Sequence, residues 1–146
     1  MFTRIVVGTD GSETAAEAVR QATDLAKMLG ATLSIVSAYE PLPRSKVEGE
    51  KVDAPEDVQY EIGPREDVNL VLDAAAAAAR KEGVEVQTHP VQDDPADAIL
   101  NVAEESKADL IVVGNKGMTG ARRFLGSVPN NVSHHAPCSV IIVRTT

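Results

Sequence analysis

Asp109-Leu-Ile-Val-Val-Gly-Asn-Lys-Gly-Met-Thr-Gly-Ala-Arg-Arg-Phe-Leu-Gly-Ser-Val-Pro129 is the stretch from which the rest of the chain can be read. Leu110 to Val113 is a short unbroken apolar run, as expected of a parallel strand buried on both faces, and it stops at Gly114. Gly114 is the first of four glycines within thirteen residues, followed by Gly117, Gly120 and Gly126. Glycine lets the backbone approach a ligand closely, and Gly126-Ser127 stands where the next helix should begin. Free N–H groups and the helix dipole would there face an anion. Strand, glycine turn and helix start together read as a phosphate seat in a nucleotide-binding domain.

Upstream, Ile5-Val6-Val7 is the β-branched core of a first strand over Phe2 to Val7, and Gly8-Thr9-Asp10-Gly11-Ser12 is a turn rich in helix-start residues. Ser12 is the expected N-cap of a helix from Glu13 to Leu29, whose alanines, valine and leucines recur at helical spacing, with Gly30 closing it. Thr32 to Ala38 returns to strand. From Glu40 to about Arg65 four prolines and many charges give no periodic pattern, so a long mobile connection is expected, with a helix following from Val68 to Gly83. Val84, Val86 and Val91 mark a third strand with polar alternate positions, as on a sheet edge. Asp94 caps the next helix, with Pro95 at its first position. A helix over Val128 to His135 and a strand over Ser139 to Val143 complete the chain.

Five alternations of strand and helix argue for a doubly wound α/β fold, a mostly parallel sheet covered on both faces. Ligands of such sheets lie beyond the carboxyl ends of the strands, where the winding reverses. Two strand ends carry residues suited to that place, Gly8-Thr9-Asp10 and Gly114 onward. Asp10 could accept hydrogen bonds from ribose hydroxyls, or could cap the first helix. Lys116, Arg122 and Arg123 put three cations into this segment of an acidic chain, either to neutralise phosphate or as a solvated surface.

At 146 residues the chain fits one domain over 1–146, large enough to bury roughly 68–70% of its unfolded surface. A net charge of −8 argues against a sequence-independent nucleic-acid surface. No apolar run approaches membrane-spanning length and no export signal precedes the first strand, so a cytoplasmic protein is expected. The single cysteine, Cys138, excludes an internal disulfide and reads as a small buried hydrophobe. Adjacent on a helix, His134 and His135 point apart and are not expected to hold a metal. No nucleophilic triad can be proposed from the residue order, so no catalytic residue is assigned.

Carried by Ile5-Val-Val-Gly-Thr-Asp-Gly-Ser12, the glycine stretch and Pro137-Cys-Ser-Val-Ile-Ile-Val143, the chain resembles the universal stress protein family, in its single-domain actinobacterial form. The family's Gly-x2-Gly-x9-Gly-Ser/Thr motif is matched by Gly114, Gly117, Gly126 and Ser127, with eight residues, Met118 to Leu125, in the second gap. The resemblance implies a five-stranded parallel sheet in the order 3-2-1-4-5, like that of the adenine nucleotide alpha hydrolases. It also implies an adenine-nucleotide site. Gly8, Thr9 and Asp10 would meet adenine and ribose, and Ala38, ending strand two, would offer its backbone to the adenine edge. Gly114, Asn115, Lys116, Gly117, Gly120, Arg123, Gly126, Ser127 and Val128 would surround the phosphates. ATP, with or without magnesium, is the implied ligand and cyclic AMP the alternative. A homodimer paired through the fifth strand is implied as well. The expected role is a non-catalytic sensor in stress response; the alternative is a slow ATPase using the same site.

Overall fold

The computed structural model describes residues 1–39, 56–115 and 127–145. In chain order the elements are β1 (Arg4–Gly8), α1 (Glu13–Leu29), β2 (Thr32–Tyr39), α2 (Glu56–Lys81), β3 (Val86–Gln92), α3 (Pro95–Glu105), β4 (Leu110–Gly114), α4 (Ser127–His135) and β5 (Ser139–Val143). The strands form one parallel sheet in the order β3-β2-β1-β4-β5. This is the adenine nucleotide alpha hydrolase-like topology that the resemblance implied.

Alternation along the central strands divides the core in two. Ile5, Val7, Leu33, Ile35, Leu110 and Val112 pack under α1 and α2. Val6, Val36, Ile111 and Val113 point the other way, under α3 and α4. Both faces of β1 and β4 are therefore buried, which is why these strands read as unbroken apolar runs.

Local signals set the helix ends. Ser12 Oγ accepts the Ala15 N–H, and Gly30 closes α1 in the left-handed conformation at φ 66°. The Asp94 side chain accepts the Asp97 N–H at the start of α3, where Pro95 gives up no needed donor.

Three expectations are corrected. β1 runs from Arg4 to Gly8, two residues later at its start than expected, and β2 continues one residue past Ala38 to Tyr39. The larger difference is α2, which begins at Glu56 and passes through Gly63-Pro64. A proline inside a helix removes one hydrogen bond and bends the axis, but the formers on either side, such as Glu61, Arg65 and Glu66, let the helix continue. The part of the expected mobile connection that precedes it, residues 40–55, lies outside the described residues.

At the amino ends of the strands, one side chain ties β1 to β4. Asp109 Oδ1 accepts from the Thr3 N–H at 3.1 Å and the Arg4 N–H at 3.0 Å, and Oδ2 from the Thr3 N–H at 2.9 Å and the Thr3 hydroxyl at 3.0 Å. Partial burial opposes the charge on Asp109, but these donors outweigh it and hold the carboxyl pKa below its usual value. Cys138 is half-buried against the second core cluster, and burial, then the Asp109 charge, pushes its thiol pKa up. Such a thiol stays protonated and inert, consistent with the structural role expected of it.

Candidate functional site

β1 lies between β2 and β4, and the chain winds outward from it in both directions. The pairs Ile5↔Leu110, Val6↔Ile111 and Val7↔Val112 bring the carboxyl ends of β1 and β4 side by side. Gly8, Thr9 and Asp10 thus stand beside Gly114 and Asn115, at the reversal point where α/β sheets bind ligands.

The turn after β1 is closed by its own side chains. Thr9 is buried, its N–H donates to Val36 O at 2.9 Å, and its hydroxyl oxygen accepts the Gly11 N–H at 3.1 Å. Asp10 Oδ1 accepts the Ser12 N–H at 2.9 Å. Asp10 therefore closes the turn ahead of the helix while Ser12 caps α1, and its carboxylate is exposed just beyond the carboxyl end of β1. Gly11 has φ 85°, and a Cβ there would stand 2.8 Å from Val71 Cγ2 of α2. Only glycine satisfies both conditions.

Ala38 lies two residues beyond Gly8↔Val36, the last pair between β1 and β2, and packs partly buried on the face covered by α3 and α4. Val128 is buried in the same cluster, so only its backbone is available to a ligand. Ser127 is exposed and opens α4. Since α4 runs back across the sheet from the carboxyl end of β4, its amino end lies on the same rim as Asp10. Gly114 has an ordinary backbone angle, and a Cβ there would meet Thr145 Cγ2 at 3.5 Å, a normal contact. Lys116, Gly117, Gly120, Arg122, Arg123 and Gly126 lie outside the described residues.

Thr145 is the residue that sequence reasoning missed. Its N–H donates to Asn115 Oδ1 at 2.8 Å and its hydroxyl to the same oxygen at 3.0 Å, while the Asn115 N–H donates to Val143 O at 2.8 Å. A threonine after a strand carries no local signal for a partner thirty positions earlier.

Other polar groups lie apart from this rim. His89 Nε2 is 3.3 Å from Ser34 Oγ, and burial lowers the imidazole pKa against the opposing Glu105 charge. His134 and His135 are exposed at the end of α4, with His135 Nδ1 3.0 Å from Asn131 O. Between α1 and α2 runs a mostly apolar groove of about 790 Å³, reaching from Thr9 and Gly11 past Val71 and Ala75 to Glu82. Among the described residues no helix is long and apolar enough to cross a membrane.

Residues 1–144 match the model of the universal stress protein family. The universal stress protein Rv1636 of Mycobacterium tuberculosis is 41% identical over 147 residues, covering 99% of this chain and 98% of its own length. A crystal structure of a universal stress protein in complex with cAMP superposes with a TM-score of 0.73 at 34% identity, covering 99% of this chain and 98% of that one. The universal stress protein of Archaeoglobus fulgidus in complex with dAMP gives a TM-score of 0.71 at 26% identity, covering 98% of each chain. With a family match over residues 1–144 and the sheet order that the resemblance implied, the chain belongs to the universal stress protein family.

Proposed function

We propose that the protein binds an adenine nucleotide in the crevice at the carboxyl ends of β1 and β4, as a non-catalytic sensor in stress response. The observation that carries this reading is the pairing of β1 with β4, which sets the Asp10 carboxylate on one rim with the start of α4. In this reading Gly8, Thr9 and Ala38 frame the adenine with backbone atoms, and Asp10 Oδ2 takes a ribose hydroxyl. The Gly114–Asn115 turn, Lys116, Gly117, Gly120, Arg123, Gly126 and Ser127, with the backbone of Val128, surround the phosphates. Support also comes from the relatives crystallised with cAMP and dAMP. ATP, with or without magnesium, is the proposed ligand and cyclic AMP its competitor.

Titration calorimetry with Mg-ATP and with cyclic AMP tests the site. Asp10→Asn keeps an oxygen for the Ser12 N–H but removes the charge facing the ribose, so affinity should fall about tenfold with the fold intact, as for the loss of one charge-assisted hydrogen bond. Unchanged affinity would remove Asp10 from the site. Absence of heat with both ligands would reject the proposal. A sensor also predicts no phosphate release from Mg-ATP above buffer; release abolished by Asp10→Ala would favour the slow ATPase.

Within the same proposal the protein is a cytoplasmic homodimer joined through β5. That strand pairs with β4 alone among the described strands, and neighbouring Ile141 and Ile142 are 36% and 39% exposed. Adjacent strand residues face opposite sides, so an apolar edge is open on both. Ile142→Lys should raise the dimer dissociation constant about tenfold or more in sedimentation equilibrium, since burying an unpaired ammonium is unfavourable. A monomeric wild-type protein at micromolar concentration would end this part of the proposal.

A further inference from the structure

We propose that the groove between α1 and α2 binds one elongated apolar molecule with a cationic end, at a site that does not depend on the nucleotide reading of the crevice. The two helices run in the same direction over one face of the sheet and are tied at both ends of the groove. At one end a Cβ on Gly11 would stand 2.8 Å from Val71 Cγ2, and at the other Lys27 Nζ donates to Glu82 Oε1 at 3.1 Å. Between these ties the lining is small, with Ala74, Ala75 and Ala78 on α2 and Ala16, Val19 and Thr23 on α1. The space left is about 790 Å³, the size of a small-molecule pocket. From Val71 to Glu82 it extends roughly 16 Å at the rise per residue of a helix.

The interior suits an apolar body. The Thr23 hydroxyl donates to Val19 O at 2.8 Å and the Thr9 hydroxyl oxygen accepts the Gly11 N–H at 3.1 Å, so both hydroxyls of the lining are turned to the chain's own backbone. Leu70, on the lip of the groove, is 68% exposed, and a chain lying in the groove would cover it. Charge selects the head. Arg20 is paired with Glu17 and Asp24, and Lys27 with Glu82, so the carboxylates here outnumber the cations. Asp24 and Glu82 line the groove and keep about half of their surface in water, where an ammonium could meet them while its tail lay between the alanines. A carboxylate head would meet repulsion at the same place.

The test is titration calorimetry with dodecylammonium, decylammonium and dodecanoate, each below its micellar concentration. Wild-type protein should take up one equivalent of dodecylammonium, bind decylammonium more weakly by roughly fourfold per methylene removed, and bind dodecanoate about tenfold more weakly at low salt. That preference should narrow as salt is added. Ala78→Leu fills the groove from an exposed helix position and should weaken dodecylammonium about tenfold or more; Ala74→Leu, exposed one turn earlier, decides if the first variant does not fold. Asp24→Asn combined with Glu82→Gln should close the gap between dodecylammonium and dodecanoate. Dodecylammonium that does not bind, that binds in several equivalents, or that binds the leucine variants as tightly as wild type overturns the site. An unchanged preference in the double charge variant overturns the cationic end. Each of these results leaves the proposed crevice standing.

Discussion

Gly11→Ala is expected to lower folding stability by about 2–4 kcal/mol. A residue with a Cβ pays about 1–2 kcal/mol for the left-handed conformation that Gly11 adopts at φ 85°. Crowding then adds a second cost, because the new Cβ would come within 2.8 Å of Val71 Cγ2 and force α2 or the turn to shift, a kind of overpacking worth about 1–3 kcal/mol. The two contributions separate in a double-mutant cycle. Val71→Ala removes the obstructing methyls but leaves the backbone angle, so the double variant should be more stable than the sum of single losses predicts, by about 1 kcal/mol. Urea midpoints at constant m-value provide the measurement. Strict additivity would show that the contact with Val71 is relaxed without cost. Because Gly11 follows Asp10 directly, nucleotide affinity should fall with stability in Gly11→Ala and recover in part in the double variant.

Asp109→Ala should cost about 2–3 kcal/mol at neutral pH. The carboxylate accepts from three donors on Thr3 and Arg4, and charge-assisted hydrogen bonds exceed neutral ones, although partial exposure reduces each from its buried value. The dependence on pH carries a definite sign. Since the folded-state pKa is lowered, the unfolded chain binds the proton more tightly. The stabilisation is thus complete above the unfolded value of about 3.9 and is lost as pH falls through the folded one. Asp109→Asn, which cannot titrate, should therefore be clearly less stable than wild type at pH 7, with the gap narrowing toward pH 3. A gap that stayed constant from pH 7 to pH 3 would show that the charge of Asp109 contributes nothing.

The parts of this fold that could be read in advance were those written in local chemistry. Ser12, Gly30, Asp94 and Pro95 act within a few residues of themselves, so their types and spacing announced α1 and α3. Leu110 to Val113 announced a doubly covered strand because burial on both faces removes the usual polar alternation. Sheet order came from family resemblance, since periodicity alone does not say which strands are neighbours. The start of α2 was hidden by Pro64, whose local preference is outweighed by the helix formers around it. Asp109 and Thr145 could not be assigned because their partners lie 106 and 30 positions away. In the candidate site, Asp10 was legible as a residue with two possible jobs; the structure shows its Oδ1 closing the turn onto the Ser12 N–H, with Ser12 itself capping α1, and the ribose job belongs to the proposal.

The Asp109 bracket and the proposed crevice occupy opposite ends of the same strands. The Asp109 bonds to Thr3 and Arg4 therefore lie at the far end of the sheet from the residues proposed to meet a nucleotide. A protein engineer can therefore rewrite the carboxyl-end loops with the amino-end fastening left as it is.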